Sequence, residues 1–215
     1  MNRYAIAATA LAVAGSLSAL APAAAVGQIL WDAPRLIGPE SPAGVGFYWL
    51  RAEALPADGD AVFAMLPLPG TGGGVTLRGG LGEGATDELA GFGGIDVRAL
   101  IARHDESQPL DIGWNAGVGG SYGEYLVVSV PVGVSAGRGW SSGSVWFAPY
   151  VGLGAVLDYR RGEEAPDEEF ALEASAEVGV DLAFDTARRF VLRAAASLGD
   201  RQAVAVGLAI GGARR

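Results

Sequence analysis

The chain has 215 residues, a formal net charge of −9 and no cysteine. That length suits one domain and is enough to bury a core or close a barrel, while the acidic balance argues against a nucleic-acid partner. The missing thiols exclude structural disulfides, thiolate metal sites, a cysteine nucleophile and a lipidated N-terminal cysteine. The 34 glycines are spread along the chain instead of gathered in one linker, which argues against disorder.

Residues 1–25 read as a secretory signal peptide. Arg3 supplies the positive start, Ala5 to Leu20 the apolar stretch, and Ala23-Ala24-Ala25 an A-x-A cleavage site. A cut after Gly27 fits nearly as well. The competing reading, an N-terminal membrane anchor, lacks a basic flank after the apolar stretch. No other segment reaches the roughly 18 uncharged apolar residues of a spanning helix, so an exported chain that crosses a bilayer does so as strands. Residues 26–43 form an extended segment punctuated by Pro34, Gly38, Pro39 and Pro42. Trp31 within it either tucks against the rim of the following domain or is disordered.

Residues 44–212 are expected to form the folded domain. Ten candidate strands follow in order: 44–55, 60–68, 75–82, 89–102, 110–122, 125–137, 144–160, 169–185, 189–198 and 202–211. The second and third are short and ambiguous in phase, so eight strands is an open alternative. With no helical period anywhere, the expected class is all-β, an antiparallel barrel or sandwich.

The eighth candidate is the clearest. In FALEASAEVGVDLAFD, Phe170, Leu172, Val178, Val180, Leu182 and Phe184 share one face, and Glu173, Ser175, Glu177, Gly179, Asp181 and Asp185 share the other. Period 2 over sixteen residues is strand geometry. A three-residue loop, Thr186-Ala187-Arg188, keeps the apolar rows of the eighth and ninth candidates together, because a one-residue slip would invert one of them. In that register Asp181 faces Arg193, Asp185 faces Arg189, and Leu182 faces Leu192.

The same asymmetry recurs upstream. Ile112, Trp114, Ala116 and Val118 alternate with Asp111, Gly113, Asn115 and Gly117, and Leu126, Val128, Val130, Val132 and Val134 with Ser129, Pro131, Gly133 and Ser135. Large apolar rows against small, polar or charged rows suit a barrel with lipid outside and a crowded lumen inside. With the start of the first strand on the periplasmic side, Tyr122, Tyr125, Tyr159 and Phe170 fall near the outer rim. Trp114, Trp140, Phe147, Phe184 and Phe190 fall near the inner rim, completing two aromatic girdles. The acidic stretch Glu163, Glu164, Asp167 and Glu168 becomes a long outer loop, with short turns expected on the periplasmic side. Lacking a D-x-D-x-D-G frame, its carboxylates read as solvated.

On the signal peptide, the alternating strands IGWNAGVGGSY and FALEASAEVGVDLAF, and the girdles, the chain resembles the small outer-membrane β-barrel proteins of Gram-negative-type bacteria. That resemblance implies a closed antiparallel up-and-down transmembrane β-barrel of about ten strands, located in the outer membrane with lipid as its partner. The chain departs from the family at its end, Ile210 to Arg215, which carries no aromatic residue.

No enzyme is legible. His104, the only histidine, lies in a polar turn beside Asp105 and Glu106 and reads as a solvated turn residue without a rigid catalytic partner. One histidine and no cysteine offer no zinc-site spacing, and no cofactor or metal is expected. The glycine-rich stretches have neither a lysine nor a following helix, as a phosphate loop would. What remains is charge expected to face the lumen. Asp96, Arg98, Glu173, Glu177, Asp181 and Arg193 form a network of mixed sign, joined by Arg51, Glu53, Arg78, Asp111, Asp158 and Arg160. Such a network either plugs the barrel structurally or lines a narrow channel for small solutes or ions. A third alternative is a soluble secreted barrel holding an apolar ligand, which requires the large side chains to point inward.

Overall fold

Successive Cβ atoms leave a strand on opposite faces, so alternation of small and large side chains assigns each row to one side of a sheet. The computed structural model describes residues 29–52, 59–83, 89–123, 125–163 and 165–211. In it this pattern builds β1 (Gly44–Ala52), β2 (Gly59–Pro67), β3 (Val75–Glu83), β4 (Leu89–Ala102), β5 (Asp111–Tyr122), β6 (Leu126–Gly137), β7 (Trp140–Ser142), β8 (Val145–Arg161), β9 (Phe170–Ala183), β10 (Phe190–Gly199) and β11 (Ala203–Gly211). The expected leader, Glu53 and Glu164 lie outside the described residues.

The strands pair antiparallel in chain order, with β1 joined to β11 and β6 to β8, so the sheet closes. The result is a ten-stranded up-and-down barrel with β7 as an extra strand against the start of β8. Closure removes the unpaired edge that an open sheet would expose. The short β2 and β3 are full members, which rules out eight strands. Trp140–Ser142 is too short to show a period. Its rings carry the contact, with Trp140 stacked on Phe147 at 6.3 Å.

The β9–β10 hairpin has the register expected from alternation, Asp181 opposite Arg193 and Leu182 opposite Leu192. Its loop turns where the Arg188 N–H bonds the Asp185 carbonyl at 3.0 Å, with Arg188 at φ 50°. A turn followed by one left-handed residue is a standard three-residue hairpin link.

Outward rows carry Phe47, Val62, Leu81, Val118, Val132, Leu153, Leu172 and Leu208, all exposed. Asp96, Asp158, Asp181 and Arg193 are buried inside. Two facing assignments change, one in each direction. Arg51 belongs to the outer row of β1, opposite Asp60 of β2 near the strand ends, because Tyr48 and Leu50 take the inner row. Tyr125 is buried and belongs to the inner row with Val127, so it is no part of a girdle. The inner face is also less uniformly small than expected. Tyr48, Leu50, Phe63, Met65, Trp146 and Tyr150 of β1, β2 and β8 fill it, while glycine and serine dominate β5 and β6.

Residues 29–43 account for that division. They do not lie at the rim. Ile29, Trp31, Leu36 and Ile37 pack into one buried cluster with Tyr48, Leu50, Phe63, Met65, Phe92 and Tyr150. Ile29 sits beside Gly82 near the end of β3, and Ser41 and Pro42 beside Arg98 and Arg193. The segment therefore runs through the lumen from the far rim, which carries loop 162–169, to the near rim where β1 begins. Near-rim loop 103–110 is as long as 162–169, so the short-turn side expected from the sequence is absent.

Trp31 explains the glycines facing it. An ideal Cβ on Gly119 or Gly117 would approach its indole to 2.6 or 2.9 Å, and at Gly94 the three nearest atoms would all be indole carbons. Gly94→Ala should therefore destabilise the protein by about 1–3 kcal/mol through overpacking. In a Trp31→Ala background the same substitution should be nearly neutral. Equilibrium denaturant unfolding of the four-member cycle measures this; equal effects in both backgrounds would refute the slot.

Candidate functional site

An irregular segment inside a barrel has no ladder to satisfy its backbone, so the wall must supply donors and acceptors. Those partners are the charged residues of the inner rows. Midway along the lumen the Glu177 carboxylate accepts the N–H groups of Arg35 and Leu36 at 2.8 and 3.0 Å and the Tyr150 hydroxyl at 2.9 Å. Leu36 has φ 60°, the left-handed position that lets two successive N–H groups converge on one anion as a backbone nest. Arg78 Nη1 donates to the Pro34 carbonyl at 2.6 Å. Nearer the near rim, Arg98 Nη2 donates to the Ser41 carbonyl and Arg193 Nη2 to the Pro42 carbonyl.

At the far rim the link is ionic. Arg201, in the β10–β11 turn, reaches Asp32 Oδ1 at 2.6 Å, Asp158 Oδ2 at 2.5 Å and Glu173 Oε2 at 3.0 Å. The Asp32 contact is a hydrogen bond, whereas those to Asp158 and Glu173 are close but misaligned as hydrogen bonds. Burial opposes the charge on Arg201, but the three carboxylates outweigh it and raise its pKa above the ordinary value. Arg160 joins the group by bonding Glu173 and Asp158.

At the near rim Glu40 of the lumen segment meets His104 and Asp111. Asp111 Oδ1 accepts the His104 backbone N–H at 2.7 Å, and its Oδ2 lies 3.0 Å from Nδ1 of the ring. Glu40 Oε1 lies 3.7 Å from the same Nδ1. Burial, reinforced by Asp111, pushes the Glu40 carboxyl above its usual range. His104 is thus fixed between two carboxylates, a correction to its reading as a free turn residue. The sequence could not show this, because Glu40 arrives through the lumen.

The expected network divides by partner. Asp181 pairs with Arg193 through Nε at 2.7 Å, and Glu173 belongs to the Arg201 cluster. Glu177 holds backbone instead of a cation, and Arg98 donates to the carbonyls of Gly73 and Ser41. Asp96 is buried, with Oδ1 lacking a hydrogen-bond partner. Of the acidic loop, Glu163, Asp167 and Glu168 are exposed and converge on no shared cation position among the described residues. Sequence reasoning missed Arg201, Asp32 and Tyr150. Arg201 follows Asp200 in a turn with no periodic signal, and Asp32 lies in the aperiodic segment.

Little space is left midway along the lumen, whereas a cavity of about 250 Å³ opens at the near rim beside Ile37, Ser41, Arg98 and Ser135. Arg35 Nη2 and Asn115 Oδ1 lack protein partners, and a cavity of about 20 Å³ that their residues share with Glu177 has room for one water molecule. No protein-family model matches the chain, and no curated protein matches it either.

Arg201 holds three carboxylates together. Arg201→Met should lower unfolding stability by about 3–5 kcal/mol, the usual penalty for orphaning buried charges. Adding Asp158→Asn should recover part of that loss. Chemical denaturation of the single and double variants decides it, and additive losses would argue against the cluster.

Proposed function

We propose that this protein is an outer-membrane β-barrel with a structural or surface-interaction role in the cell envelope, closed by its own N-terminal segment and without catalytic activity. The observation that carries this reading is the barrel's exterior. Leu172, Leu153 and Phe47 are 77%, 67% and 65% exposed, and similar side chains occupy the outer rows all the way round. The outward charges of the described strands, Arg51, Asp60, Glu83 and Arg161, fall at strand ends by the far rim. Soluble monomers rarely expose an apolar patch beyond a few hundred Å², whereas lipid favours an uncharged band of this kind. Exposed Tyr122, Phe170, Phe184, Phe190 and Trp140 near the rims suit interfacial positions. The N-terminal leader pattern fits export to that location.

The other two readings meet specific obstacles. A barrel that stores an apolar ligand needs an apolar cavity, and here Val178 and Leu192 face outward while Asp181 and Arg193 face inward. An open channel needs a continuous water path, and residues 29–43 occupy the lumen.

Cell fractionation should recover the protein with the outer membrane, and unheated samples should migrate differently from boiled ones on gels. Recovery in the aqueous fraction without detergent would overturn the membrane reading. In planar bilayers the full chain should show no steady conductance, and deletion of residues 29–43 should produce one. Steady conductance by the full chain would mean that the segment does not seal the barrel.

A further inference from the structure

The buried acids of the lumen are not all treated alike. Asp32, Asp158, Glu173 and Asp181 each have an arginine within ion-pair distance. Glu40 and Asp111 do not; Asp96 and Glu177 also lack one among the described residues, but only Glu40 and Asp111 meet a histidine. Among the described residues their one cationic neighbour is His104, and a carboxylate oxygen of each lies within 4.8 Å of the other. Two carboxylates this close, with an imidazole between them, make a site that favours a cation.

The three side chains come from three separate places: the lumen segment, the β4–β5 loop and the first residue of β5. Their ligand atoms all lie within 4.8 Å of one another. An ion about 2.1 Å from each donor sets donor–donor separations of about 3.0 Å at right angles and about 4.2 Å when opposed. Nδ1 of His104 stands 3.0 Å from Asp111 Oδ2 and 3.7 Å from Glu40 Oε1, inside that span. The supporting contacts are those of an oriented donor set. Asp111 is steadied through its other oxygen by the His104 N–H, and Glu40 Oε2 packs beside Gly139. Ligating carboxylates are characteristically hydrogen-bonded in this way. The His104 side chain is 37% exposed, which opens the position to solvent at the near rim.

We propose that Glu40, His104 and Asp111 bind one first-row divalent cation of the zinc class, clipping the lumen segment to the near rim of the barrel. One imidazole with two carboxylates favours such an ion over calcium or magnesium, which prefer all-oxygen shells. Binding leaves the remaining coordination positions to water. The proposal is independent of what surrounds the barrel and stands whether the exterior meets lipid or water.

The test is calorimetric titration of the full chain, folded in detergent, with zinc chloride alone, repeated with magnesium and calcium chloride. Zinc should bind once per chain, and the two hard cations should bind at least about tenfold more weakly. Glu40→Gln and His104→Ala should each weaken zinc at least about tenfold, while Glu168→Gln at the far rim leaves it unchanged. Heat-modifiable migration confirms that each variant is folded. If only one variant folds, it decides alone; if neither does, the Co²⁺ absorption spectrum of the wild-type chain decides, and a spectrum lacking a nitrogen ligand overturns the site. Absence of zinc binding by the wild type, or equal binding by the variants, also overturns it.

Discussion

The pairing of β1 with β11 is the constraint on which the rest depends. Once the sheet closes, its two faces meet different surroundings, and no row can move to the other without breaking the register of both neighbours. A closed ten-stranded wall encloses a space that must be filled, since protein interiors are packed nearly as densely as organic crystals. Side chains of the wall fill part of it. Tyr48, Leu50, Phe63 and Met65 crowd one side, and the glycines of β4 and β5 leave a slot on the other. Residues 29–43 occupy what is left, with Trp31 in the slot.

Filling a lumen with irregular chain creates a polar problem that an apolar core would not have. Most N–H and C=O groups of the segment lie inside the wall and have no ladder partner of their own. Glu177, Arg78, Arg98 and Arg193 meet those groups directly, which gives the inner-row charges a role beyond pairing with one another. Long guanidinium side chains suit the task because one Arg can serve a carbonyl and an acid together, as Arg193 does with Pro42 and Asp181. Desolvation of these charges is expensive. It is offset here by several partners per ion, and Arg201 with its three acids is the extreme case. Among the described residues, Glu40 and Asp111 meet a histidine where other lumen acids meet an arginine or backbone N–H groups.

Much of the barrel was legible because strand alternation is a local signal. FALEASAEVGVDLAFD declares its faces without any knowledge of its neighbours, and three loop residues suffice to set Asp181 against Arg193. Arg51 was misassigned because the first strand is short and carries large residues, Tyr48 and Leu50, on its inner row, so size no longer marks the face. Tyr125 was misread for a related reason: at a strand end one residue of phase separates lumen from rim. The identity of each charge's partner was not legible, because Glu177 and Arg35 are brought together from positions 142 residues apart.

By itself, the sequence determined an all-β antiparallel architecture with large apolar rows on one face and small or charged rows on the other, while closure and the count of ten strands came with the pairing of β1 to β11. Period 2 is written residue by residue, and pairing only reads it out. Tertiary structure alone decided that the aperiodic segment 29–43 becomes the barrel's filling. No periodicity encodes such a placement; it follows from the volume left by Gly94, Gly117 and Gly119 and from donors and acceptors that converge only once the sheet has closed.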